Sequence, residues 1–174
     1  MSYTTVKAIW PGEKHVDLQT LRNSHGSAPV IWDFFGQRYL GLKPHSWLSV
    51  TEKLWPLWKR QDIPEAYRAI FLLTFDRAYV IKKDYARMAR DIRQFLQDHP
   101  GNPEYVNHWP MLAEFFESDP DYPAIGLHVN SVLDDPFSGP WNEEKEEYDQ
   151  IDWTTAYDFY AELDGLKEET GVAK

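Results

Sequence analysis

The net charge of this chain is carried entirely by its last forty-one residues, and that segregation limits where each part can sit in a fold. Residues 1–133 hold 15 acids against 15 bases. Residues 134–174 hold 13 acids against 3 bases, which accounts for the whole net charge of −10. A segment this acidic cannot form the middle of an apolar core; it has to face water or lie against bases from elsewhere in the chain. Its acids alternate with large rings: Phe137, Trp141, Tyr148, Trp153, Tyr157, Phe159 and Tyr160. That combination suits a basic partner, because charge steers the encounter and rings fill the buried contact. A competing account lies within the chain itself. Residues 53–93 carry 10 bases against 5 acids, so the acidic end could instead dock on this basic stretch.

A length of 174 residues predicts a single globular domain over 1–174, with 134–174 as an acidic, aromatic C-terminal segment that is either docked or partner-facing. Such a chain is long enough to bury a core without covalent staples. Aromatics make up 16% of it, including 8 Trp. Most of these rings are expected to fill the core, and one or two to be exposed anchors. Cysteine is absent, so neither a disulfide framework nor a thiolate metal site is available, which suits a reducing cytoplasm. The first eleven residues lack the basic-then-apolar order of a signal peptide. The longest apolar stretch, 69–73, is too short to span a bilayer. We therefore expect a soluble cytoplasmic protein with no membrane partner. A pI near 5.0 makes nucleic acid an unlikely ligand, since phosphate binding needs a basic face.

Local patterns predict a mainly α (α+β) fold: a compact bundle of about five to six helices with a small two- to three-stranded sheet or hairpin. Residues 3–10 are β-branched and aromatic and read as a strand ended by Pro11-Gly12. Residues 13–28 are polar and read as a loop. A helix is predicted over 28–40, with a strand through 30–35 as the alternative. Ser49 and Glu52 have capping-box spacing, with Ser46 as a competing start. Asp62, Pro64 and Glu65 mark the start of a long helix over 64–82. Asp84 opens another to 98, apolar at Tyr85, Met88, Ala89, Ile92 and Phe95. A further helix is predicted over 109–117, a strand over 124–132, a loop over 134–140, and a helix from Asp152 to about 166.

Motifs with chemistry are sparse. There is no Gly-rich phosphate loop, Gly-x-Ser-x-Gly elbow, dinucleotide fingerprint or helical zinc spacing, and no cofactor or metal is predicted. Polar residues that could converge in a pocket are Arg22 and His25 in a polar stretch, Asp76 and Arg77 inside the predicted long helix, His108 at a helix entrance and His128 on a strand. Ser131 lies three residues from His128, which aligns poorly for a nucleophile–base pair. Two readings follow. In the first, the chain is a protein-binding module, of inhibitor or immunity type, that covers a basic protein partner with Asp135, Trp141, Glu143, Glu144, Glu147, Asp149 and Trp153. In the second, it is an enzyme or small-ligand binder using the pocket residues.

Overall fold

A computed structural model describes residues 3–22, 28–99, 108–130 and 137–169. Two strands open the chain, β1 (Tyr3–Trp10) and β2 (Lys14–Arg22). Between them Pro11 and Gly12 form a turn in which Glu13 N–H donates to the Trp10 carbonyl at 2.9 Å. Gly12 takes φ +86° there, the left-handed value that the third position of a Pro-Gly turn demands. Helix α1 (Ala28–Leu40) follows. Next come short helical turns at Trp47–Val50 and Trp55–Lys59 on either side of α2 (Thr51–Leu54). Then come α3 (Glu65–Leu73), β3 (Ala78–Ile81), α4 (Tyr85–Asp98), α5 (Trp109–Glu117) and β4 (Ala124–Asn130). The C-terminal part holds β5 (Ser138–Asn142), β6 (Glu147–Gln150), β7 (Tyr157–Asp158) and α6 (Phe159–Glu169).

Five strands make a mixed sheet in the order β2-β1-β4-β3-β7, and β5 and β6 pair separately. All ladders in the larger sheet are antiparallel except β3–β7. Register sorts the side chains onto two faces. Val6, Ala8, Leu21, Ala78, Val80, Ile125 and Leu127 join the helices in the main core. Ile9 and Ala124 point the other way, where Phe137 and Ile151 cover them with Trp153 packed alongside. Central β4 is therefore buried on both faces from Ala124 to His128. Gly126 is the closest point of this packing. A Cβ there would lie 2.8 Å from both the Ala78 carbonyl oxygen and Ile9 Cδ1.

With 51% of the described residues helical and 26% in strands, the fold is α+β. This corrects the expected mainly α bundle with a small hairpin, for three reasons. First, 14–22 forms a strand although it reads as a loop. As an edge strand it is exposed at most positions and needs no apolar alternation. Second, the helix predicted over 64–82 stops at Leu73. The Thr74 hydroxyl donates to the Phe71 carbonyl at 2.6 Å, Arg77 takes φ +65°, and the chain leaves as β3. Third, 138–150 is a hairpin, although its first residues fall in the loop expected over 134–140.

Caps also differ from expectation. Ser49 donates its hydroxyl to the Ser46 carbonyl at 2.8 Å rather than capping α2, whose start has no side-chain cap. Asp152 caps only the turn Trp153–Thr155, and α6 begins seven residues later than predicted. Asp158 serves there, accepting from Tyr160 N–H at 3.1 Å. The strand predicted to 132 is described to Asn130; Ser131 and Val132 lie outside the described residues.

The acidic C-terminal segment resolves into two parts. Helix α6 buries Phe159, Tyr160 and Leu163 in the main core and docks on bases of the body. Arg87 on α4 donates to Asp164 at 3.0 and 2.8 Å and to Glu65 on α3 at 2.6 Å. Its guanidinium lies 4.1 Å from the centre of the Tyr160 ring. Lys167 returns the favour from α6 to Glu65 at 2.5 Å. The hairpin β5–β6 takes no part in this network.

Candidate protein-binding surface

The hairpin is held at its base and exposed along its arms. Phe137 and Ile151 flank it in sequence, are 2% and 6% exposed, and sit in the second apolar cluster. Just inside them Ser138 pairs with Gln150. Gly139 follows, where a Cβ would come within 2.6 Å of the Gln150 carbonyl oxygen and 2.7 Å of that of Asp149. Only glycine lets the two backbones approach so closely. Beyond that irregularity the register resumes, with Trp141 opposite Tyr148 and Asn142 opposite Glu147.

The tip is organised by Asn142. Its side-chain oxygen accepts from the backbone N–H groups of Glu144 at 3.1 Å and Lys145 at 3.2 Å. Its amide nitrogen donates to Asp149 at 3.1 Å. Lys145 bonds the same carboxylate at 3.0 Å. These two donors hold the Asp149 carboxyl below the usual carboxylate range, Lys145 contributing most. Glu146 closes the turn at φ +54°. This network presets the hairpin's shape, which reduces the ordering cost of a contact.

Trp141 and Tyr148 make a cross-strand pair, ring centroids 5.1 Å apart and planes at 73°, the edge-to-face geometry that aromatic quadrupoles favour. They remain 52% and 50% exposed. Around them Glu143, Glu144, Glu146 and Glu147 are exposed, so 138–150 carries 5 acids and a single base. The surface combines rigid rings with unneutralised carboxylates, the composition of a contact that meets cations.

Five of the residues expected to meet a partner therefore share this element: Trp141, Glu143, Glu144, Glu147 and Asp149. Trp153 does not; it is half-buried under the hairpin base, its ring 6.3 Å from that of Phe137. Asp135 lies outside the described residues. Sequence reasoning missed Tyr148 as the partner of Trp141, and Asn142 as the organiser of the tip. The available signal was two aromatics flanking a six-residue polar run, the mark of a cross-strand pair.

The expected pocket residues are dispersed. Arg22 ends edge strand β2, and the His108 ring lies against its carbonyl with Nε2 at 3.2 Å. Asp76 and Arg77 occupy the turn before β3, where Arg77 donates to the Thr155 hydroxyl at 2.5 Å. That turn is three strands away from β2, about 14 Å at the usual strand spacing. His128 is buried in β4 opposite Thr5. His25 lies outside the described residues. Among the described ones, Arg22 and His108 are brought together by the ring–carbonyl contact.

Among the described residues no cluster of three or more His, Asp or Glu is placed to hold a metal ion. No described helix is long and apolar enough to cross a membrane. Compared with known protein families, curated proteins and solved structures, the chain matches none.

Proposed function

We propose that this chain is a protein-binding module, of inhibitor or immunity type, acting in a reducing cytoplasm, and that β5–β6 is the element it lays on a basic protein partner. The observation that carries this reading is the half-exposed Trp141–Tyr148 pair on a hairpin with a prebuilt acidic tip. Exposed paired rings gain little for the free protein, whereas desolvated in a partner's surface each can act as a hot spot. The surrounding glutamates would govern the association rate and its salt dependence.

The test is affinity capture from host lysate at low and high salt, with the intact chain, with Trp141→Ala, and with the triple variant Glu143→Gln, Glu144→Gln, Glu147→Gln. We expect a basic protein to be retained by the intact chain at low salt, lost at high salt, and lost from both variants. Equal capture by all three chains would sink the reading.

A further inference from the structure

The body of the molecule offers a surface of opposite sign. A groove of about 720 Å³ runs along α4 beside the end of α5. Lys83, just before α4, and Ala86, Arg90 and Arg93 on α4 line it, with Phe116 and Glu117 of α5 and Asp119 beyond that helix. Two of the cations are engaged at the rim. Arg93 makes a two-point bond to Glu117 at 2.9 and 2.8 Å, and Lys82 bonds Asp121 at 2.9 Å. Lys83 and Arg90 are also in the lining, and neither forms a salt bridge with an acid among the described residues. Ala86, Ala89 and Phe116 are the small or buried apolar residues of this lining, and Ala86 is the exposed one among them. The whole lining comes from 82–97 and 116–119, so the chain's own hairpin does not occupy it.

From this complementarity we propose that the α4–α5 groove receives the β5–β6 hairpin of a second copy of this chain. The proposal rests on the hairpin being a contact element, as in the reading above, and names for it a partner that is basic at this groove although acidic in net charge. Trp141 and Tyr148 supply rings for the apolar lining at Ala86. Glu143, Glu144 and Glu147 supply carboxylates for Lys83 and Arg90. The two surfaces are different, so the contact is heterologous: each copy has one hairpin to give and one groove to fill. Two chains of net charge −10 repel at long range. At physiological ionic strength the screening length is about 8 Å, which damps that repulsion while sparing charges in contact.

Sedimentation velocity on the full chain at that ionic strength, over a concentration series, tests the proposal. The wild type is expected to associate. A groove variant, Lys83→Glu with Arg90→Glu, and a hairpin variant, Trp141→Ala with Glu144→Lys, should each weaken association about tenfold or more, as reversal of contact charges does. Both sets of positions are exposed, so folding is expected to survive, and circular dichroism checks it. Mixing the two variants leaves one intact hairpin and one intact groove, and should restore a dimer that grows no further. A wild type that stays monomeric throughout overturns the proposal, as does association that the groove variant leaves unchanged. The lysate capture separates this from the broader reading. If a basic protein is lost by the hairpin variant and kept by the groove variant while the wild type is monomeric, the hairpin has another partner and the self-docking is wrong. If the hairpin variant captures and associates like the wild type, both readings fail.

Discussion

Arg87 is the residue on which the acidic end hangs. It is 20% exposed, binds Glu65 and Asp164, and covers the Tyr160 ring. Arg87→Met keeps the stem but strands two carboxylates and removes the cation over the ring; we expect a loss of about 2–3 kcal/mol, read from urea unfolding midpoints. The partner carboxyl gives this bond a pH signature. Arg87 is the main cause that holds Asp164 at about 2, below its ordinary 3.8. Its stabilisation is therefore complete above 3.8 and lost as pH falls through about 2. Because the Asp164 side chain is 51% exposed, the discounted contribution is about 1 kcal/mol. Asp164→Asn should remove that much at pH 7 and flatten the acid limb of stability between pH 4 and 2. Asp91 runs the opposite way. Burial raises its carboxyl, only partly offset by the bond from the Tyr160 hydroxyl. It favours folding when protonated, and that contribution fades as pH rises through its raised value. Asp91→Asn keeps an acceptor for Tyr160 and should leave stability at pH 7 unchanged or higher. On the sheet, Gly126→Ala places a methyl 2.8 Å from a carbonyl oxygen that cannot swing away. A loss of about 1–3 kcal/mol is expected from such overpacking, read from the same midpoints.

At the scale of elements, the contact role proposed for the hairpin and its attachment to the fold rest on different residues. Phe137, 2% exposed, anchors it; Phe137→Ala should cost about 3–5 kcal/mol. Trp141→Ala should cost no more than about 1 kcal/mol, the worth of an exposed aromatic pair, while removing the Trp fluorescence most open to acrylamide quenching. A large loss of stability from Trp141→Ala would show that the ring belongs to the fold. The same division explains which elements the sequence made legible. β1, α1, α4 and α5 each bury one face or both against the core, so burial wrote their period into the residues. β2 is an edge, and β5–β6 stands largely clear of the core; their polar sequences carry no burial period. The α3–β3 segment was illegible for another reason. Ile70, Phe71, Ala78 and Ile81 suit a helical stripe, and the break depends on one buried threonine and one left-handed arginine. For the expected contact site, charge and aromatic content single out a segment but not its exposed face: the split between Trp141 outside and Trp153 inside required the register of the hairpin.

For the molecule as a whole, the question is whether a −10 chain can carry its charge at one end and still fold as a unit. The structure divides that end by cost. Acids on α6 accompany Phe159, Tyr160 and Leu163, which are 0%, 1% and 0% exposed, and one of them, Asp164, meets both Arg87 and Lys167. Acids on the hairpin have little apolar surface to accompany them and stay in water. Two shortened chains should therefore behave in opposite ways. Removing everything from residue 134 strips three fully buried side chains from the main core and two more, Phe137 and Ile151, from the second. At about 2–5 kcal/mol for each large side chain, the five together remove most or all of the roughly 5–15 kcal/mol that holds a domain folded. That chain should show no cooperative thermal transition by circular dichroism. Replacing 139–149 with Asn-Gly instead joins Ser138 to Gln150, which already face each other, by a turn suited to a hairpin. It deletes 5 acids and a single base while leaving both anchors in place, so net charge falls from −10 to −6. We expect this chain to melt cooperatively within a few degrees of the wild type and to lose the partner binding proposed for the hairpin. Should it instead unfold like the truncation, the hairpin is a structural strap, and the exposed aromatic pair would need an explanation within the fold itself.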